Sequence, residues 1–222
     1  MNNDNVIEMT FKKVLEMNEK YVAPSHLPVV VLSSLNSAAK GELIALLNQA
    51  LVDFMDKLSS NQGETKINFS QVTSNAYPVV IHDFKDISEM TAVPLLAATG
   101  DKISLSQGLD LCSNMLLTHK YELKNAGKPV MCPWLISITN GSPTDKPHET
   151  QLRMKKYVEQ NSLFHIAINL SDKGANFPAQ VNFDINESNL KQCFSWLSTT
   201  IIERTQSKKA LKIKLPDFMR RD

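Results

Sequence analysis

The run Leu27-Pro28-Val29-Val30-Val31-Leu32-Ser33 constrains the fold more than any other part of this chain. It is short, uninterrupted by charge and rich in β-branched residues, which reads as a strand buried on both faces, as in a parallel sheet covered by helices on either side. A polar loop of small residues, Ser34–Gly41, follows it. Then comes Glu42–Leu58, where Leu43, Leu47, Ala50, Leu51, Phe54 and Leu58 share one helical face. Strand, loop and amphipathic helix open an α/β domain.

The same grammar continues along the chain. Lys66–Thr73 and Tyr77–His82 read as two strands joined by a brief turn, a hairpin at a sheet edge. Leu105, Leu109, Cys112 and Leu116 mark a long helix closed by Gly127-Lys128-Pro129. Val130–Thr139 reads as another buried strand, residues 147–160 as a polar helix, and Leu163–Leu170 and Val181–Asp184 as further strands. Asn189–Arg204 reads as a closing helix that buries Leu190, Phe194, Leu197 and Ile201. The expectation is an α/β fold: a doubly wound, mostly parallel six-stranded sheet with helices on both faces and the 77–82 strand antiparallel at an edge. Residues 1–26 form an N-terminal extension, helical over 4–20, residues 27–206 the domain, and residues 207–222 a basic, apolar tail that reads as solvated or packed on its own domain.

Composition removes several functions. The formal net charge of +1 gives no long-range pull toward nucleic acid or acidic membranes. Cys112, Cys132 and Cys193 form no C-x-x-C pair and are odd in number, against a zinc knuckle or a disulfide framework. They read as reduced, packed thiols, which suits the cytoplasm. The first 21 residues carry Asp4, Glu8, Glu16 and Glu19, unlike a signal peptide, and no stretch is long and apolar enough to span a bilayer.

In open α/β sheets, ligands bind beyond the carboxyl ends of the strands. Three loops should meet there: Ser34–Gly41, Thr99–Ser104 and Asn140–Asp145. The first has one glycine, Gly41, and no phosphate-cradling pattern. His82, His119, His148 and His165 are scattered, and Cys112 and His119 lie seven apart on one helix, so no nucleophile–base motif stands out. The expectation is a protein without enzymatic activity.

At these loops the sequence resembles von Willebrand factor A (VWA) domains, particularly the bacterial TerY-like group associated with tellurite resistance. The segments LPVVVLSSLNSAAKGELIALLNQAL, TGDKISLSQGLDL, PWLISITNGSPTD and FSWLS carry the resemblance, from about Leu27 to about Thr200. It implies a site in which two Asp, two Ser and one Thr hold Mg²⁺ or Mn²⁺. Lining up Gly41-Glu42 with the family's Gly-Glu puts Ser34 at the first Asp, and Asn36 and Ala38 at the two Ser positions. Ile103 then stands at the Thr and Asn140 at the Asp-Gly. A one-residue slip brings Ser33, Leu35 and Ser37 into line and still supplies no Asp.

Hard cations need oxygen ligands and carboxylate charge, which this set lacks, so the site is expected to bind no metal and to require no cofactor. The resemblance implies a protein partner, of the kind represented by the kinase and phosphatase found with the TerY-like group, docking on a rim of Ser34, Asn36, Ala38, Ile103 and Asn140. Three alternatives stay open: a metal site rebuilt with Glu42 or Asp101, a nucleic-acid contact through the basic tail, and a rim without a ligand, with binding on another face.

Overall fold

The computed structural model describes residues 26–61, 63–171, 177–206, 213, 215 and 216. The expected N-terminal helix lies outside the described residues, as does the tail apart from Ile213, Leu215 and Pro216.

Six strands form one sheet in the order β3-β2-β1-β4-β5-β6. They are β1 (His26–Ser34), β2 (Lys66–Ser74), β3 (Pro78–Asp86), β4 (Trp134–Thr139), β5 (Phe164–Asn169) and β6 (Val181–Asp184). All neighbours are parallel except β2 and β3, the edge hairpin. Every residue of β1, β4 and β5 is buried, as their continuous apolar runs require.

Alternation along β1 sorts the layers. Val29 and Val31 face the same core as α1 (Glu42–Ser60) and α4 (Glu187–Gln206), while Val30 and Leu32 face α2 (Leu105–Asn125) and α3 (His148–Glu159). On the first face α1 contributes Leu47, Leu51, Phe54 and Leu58, and α4 contributes Leu190, Phe194, Leu197 and Ile201. Phe54 meets Phe194 edge-on at 5.9 Å, joining the two helices. Ile213 is buried in this same cluster.

Two elements depart from the sequence expectation. β4 starts at Trp134, because Pro133 has no N–H to give a ladder, and Val130 makes an isolated bridge with His26. β3 runs on to Asp86, where Lys66 Nζ lies 3.4 Å from the Asp86 carboxylate. Its polar Asp83, Lys85 and Asp86 conceal a strand, yet polar residues suit an edge. The β2–β3 register shifts twice, between Phe69 and Gln71 and again between Gln71 and Val72, so β3 is bulged.

Gly108, in the first turn of α2, sets how closely that helix lies on the sheet. A Cβ there would stand 2.7 Å from Ser74 Cβ and 2.8 Å from Leu32 Cδ1.

Candidate functional site

The three loops do meet at the carboxyl ends of β1 and β4. Beyond β1 the chain makes a short 3-10 turn, Ser37–Ala39, capped by Asn36, whose Oδ1 accepts from Ala38 N at 3.0 Å. The same Oδ1 accepts from Asn140 Nδ2 at 2.8 Å, while Asn36 N donates to Asn140 Oδ1 at 3.0 Å. Two asparagines on loops 104 residues apart thus interlock through their amides. The second loop joins where Ser37 N donates to Gly100 O at 2.8 Å and Ser37 Oγ to Asp101 Oδ1 at 3.3 Å.

The third loop is tied to α2 by two residues that sequence reasoning left unassigned. Thr144 N donates to Ile103 O at 2.8 Å, and Thr144 Oγ1 accepts from Ile103 N at 3.1 Å. Asp145 accepts from the backbone N–H of Gln107 at 2.9 Å and of Ser106 at 3.3 Å. A carboxylate there satisfies free N–H groups of the first helical turn and complements its dipole. No local pattern announces this, because cap and helix are about 40 residues apart in sequence.

Of the five residues expected at the rim, Asn36, Ala38 and Asn140 come together at the surface: Ala38 is exposed and both asparagines are half-buried. Ser34 and Ile103 lie beneath. The Ser34 hydroxyl donates to the Ser74 carbonyl, and Ile103 sits under Gly141, where a Cβ would come within 2.9 Å of its Cδ1. Glu42 is exposed in the first turn of α1. Among the described residues, no three His, Cys, Asp or Glu side chains gather as a metal-ligand group.

The groups weighed for catalysis are dispersed. Burial pushes the thiols of Cys112 and Cys193 far up, and that of Cys132 to about 11. The His119 ring stacks on Phe84 at 4.1 Å with Glu122 3.7 Å away, and burial pulls its pKa down. His165 does have a serine partner, Ser137, with Oγ and Nε2 2.8 Å apart. Its Nδ1 lies 2.8 Å from Pro178 O. A carbonyl only accepts, so Nδ1 carries the proton and Nε2 accepts from the hydroxyl. Burial drives the His165 pKa to about 4. The pair is sealed between the sheet and the α2–α3 layer, with His165 wholly inaccessible, so it fastens the segment before β6. No local pattern announces the pair, because β4 and β5 bring the two side chains together from 28 residues apart.

Solved structures share this arrangement. The chain is similar to a von Willebrand factor type A protein from Catenulispora acidiphila, with TM-score 0.55 and 11% identity over 82% of this chain and 43% of that one. It is similar to the pilus adhesin SpaC from Lactobacillus rhamnosus GG, with TM-score 0.60 and 12% identity over 84% of this chain and 31% of that one. The SpRpn10 VWA domain aligns with TM-score 0.52 and 9% identity, over 77% of this chain and 94% of that domain. The fold is that of a VWA domain. This chain spans less than half the length of the first two of these proteins. No protein-family model matches its sequence, and no curated protein is significantly similar to it. No helix among the described residues is long and apolar enough to cross a membrane.

Proposed function

We propose that this VWA domain is a non-enzymatic protein-binding module whose loop end has lost the family's metal site. The Asn36–Asn140 interlock carries the reading. The Mg²⁺ or Mn²⁺ of the family needs oxygen ligands with carboxylate charge to offset dehydration. Here the position matching the second Asp is an amide, Asn140, whose oxygen already accepts from Asn36 N. The Asn36 oxygen is taken twice, by Ala38 N and Asn140 Nδ2. Ser34 points into the sheet interior, and Ala38 and Ile103 bring no oxygen. Two carboxylates of these loops have other duties: Asp145 caps α2, and Asp101 accepts from Ser37. The residues present do not fit a dication.

What is left at the surface, Asn36, Ala38 and Asn140, is neutral and bonded within itself. A partner docking there meets small side chains and backbone groups in a fixed arrangement, and recognises shape and hydrogen bonds in place of a shared ion. The TerY-like resemblance supports a cytoplasmic stress-response system of the tellurite-resistance kind, with a kinase or phosphatase as partner.

Thermal unfolding in Mg²⁺ or Mn²⁺, each against an EDTA control, tests the metal half of the proposal. Identical midpoints are expected, because only an ion that binds the native state raises stability. A saturable rise would defeat the reading and restore the metal-bridged alternative. Binding to a candidate kinase or phosphatase should resist EDTA and weaken when Ala38→Arg crowds the rim; loss of binding in EDTA alone counts against it.

A further inference from the structure

Toward the amino end of β1 and β2, the α1–α4 face carries an open apolar groove. The last turns of α1 present Val52, Met55, Asp56 and Ser59 at helical spacing, and across from them runs the segment that follows β3, from Ile87 to Val93. The groove between them has a volume of about 240 Å³. Met55 and Ile87 belong to the buried core, while Val52, Met90 and Val93 are only half-buried. Two methionines make such a wall adaptable, since an unbranched thioether fills irregular gaps. Asp56 stands exposed beside it, with no ion pair or hydrogen bond among the described residues.

The described part of the chain begins within reach of this groove. His26, at the start of β1, pairs with Lys66 on β2, and Lys66 Nζ lies 3.4 Å from the Asp86 carboxylate. Asp86 in turn caps the 3-10 turn Ile87–Glu89 by accepting from Ser88 N at 3.0 Å. Asn68 pairs with Asp86, so His26 and Asp86 stand two strands and two residues apart, roughly 12 Å. Residues 21–25 can span about 17 Å when extended.

Residues 4–20 lie outside the described residues, and their sequence has the character the groove lacks a partner for. On a helix, Val6, Ile7, Phe11, Val14 and Leu15 fall on one side and Glu8, Lys12, Glu16 and Glu19 on the other. Pro24 stops such a helix just before β1. Lys13 and Lys20, two turns apart, run along one border of the apolar side, which is where Asp56 would meet them. The C-terminal tail suits the groove less. Its Ile213 is already buried in the core and does not line the groove, and the sequence after Pro216 is mostly charged.

We propose that residues 4–20 dock in this groove as an amphipathic helix, with Phe11 and its apolar neighbours between Val52 and Met90 and a lysine beside Asp56. The occupant is a segment of the same chain, tethered at His26, so its local concentration is high and a modest apolar contact suffices to hold it. The groove lies at the opposite end of the sheet from the loop rim. Docking there keeps an apolar helix out of solvent and leaves the rim free for a partner.

Hydrogen–deuterium exchange on the full chain tests this. Amides of residues 4–20 should exchange at least about tenfold more slowly than in an unstructured chain, because a docked helix exchanges only when it opens. Phe11→Ser should return them to fast exchange and also speed exchange over residues 52–59 and 87–93, the two walls of the groove. Val52→Lys should release the segment from the other side. Should Val52→Lys not fold, Phe11→Ser decides alone, since Phe11 precedes β1 and belongs to neither core cluster. Exchange over 4–20 at the unstructured rate overturns the proposal, as does protection of the groove walls that Phe11→Ser leaves unchanged. Protection that falls away on dilution overturns it too, and assigns the groove to a second copy of the chain.

Discussion

The two faces of the central sheet are built on different rules. On the α1–α4 face, apolar side chains from all the parallel strands form the larger core cluster, closed by aromatic contacts such as Phe54 with Phe194 and Trp134 with Phe164. On the α2–α3 face the apolar cluster is smaller and laced with polar groups that bond one another. Ser34 donates to the Ser74 carbonyl, Ser74 to the Ser104 carbonyl at 2.7 Å, and Ser137 to His165. Burying polar groups without loss requires pairing them, and this face pairs Ser34, Ser74, Ser137 and His165, though Ser106 Oγ and His119 Nε2 on α2 have no partner. One face gains from area, the other from bonds between particular atoms, so they should fail under different insults.

Truncation should separate them most sharply. Phe54→Ala, in the centre of the apolar face, is expected to cost about 3–5 kcal/mol in denaturant unfolding, through lost transfer energy and the cavity left behind. If Leu109→Ala on the laced face costs clearly more, the apolar face is not the main source of stability and the comparison breaks.

Acid should separate them in the opposite direction. His165 titrates at about 4 in the folded chain against 6.5 ordinarily. Above 6.5 the ring is neutral in both states and its contribution is intact. As pH falls from 6.5 toward 4 the unfolded chain takes up the proton first, so stability drains by up to about 3 kcal/mol. The unfolding free energy of a His165→Gln variant, followed over the same window, should decline less steeply than wild type. Equal slopes would mean that His165 does not stay neutral in the laced face.

Gly108→Ala probes the contact between α2 and the sheet, where a methyl group would overlap Ser74 and Leu32. A loss of about 1–3 kcal/mol is expected, smaller if α2 can ride outward.

Much of this architecture was legible beforehand. Continuous apolar runs, alternation and helical stripes located the six strands and four helices of the described residues, because burial on both faces leaves an unmistakable apolar signature at β1, β4 and β5. The candidate site was legible in part. The meeting of the three loops followed from where α/β sheets place their loops, but the direction of Ser34 did not follow from matching its position to a metal ligand. Strand alternation puts Ser34 on the side of Val30 and Leu32, which points it at β2, and that parity was available in the sequence. The Asn36–Asn140 interlock, the Asp145 cap and the Ser137–His165 pair were not, since each joins residues distant in the chain by geometry that no spacing encodes. The irregular segment 91–100 was silent for another reason: it has no period, since the amides of Asn48, Gln71 and Asn75 hold its backbone while only Leu96 and Ala98 enter the core.

The bulges of β3 have a bearing on how this molecule behaves in a crowded solution. Tyr77, just before β3, and Val79, Val80 and Ile81 on it are exposed, an apolar run along the last strand of the sheet among the described residues. A straight strand with that composition would template the growth of further strands and invite fibrils. The two register shifts bend the edge just past this run, and the charges of Asp83 and Lys85 follow immediately. Deleting the bulged residue at Ile81 would remove one of the two shifts and one apolar side chain, yet its consequence should be more aggregation: at this edge, shape guards the chain better than hydrophilicity does.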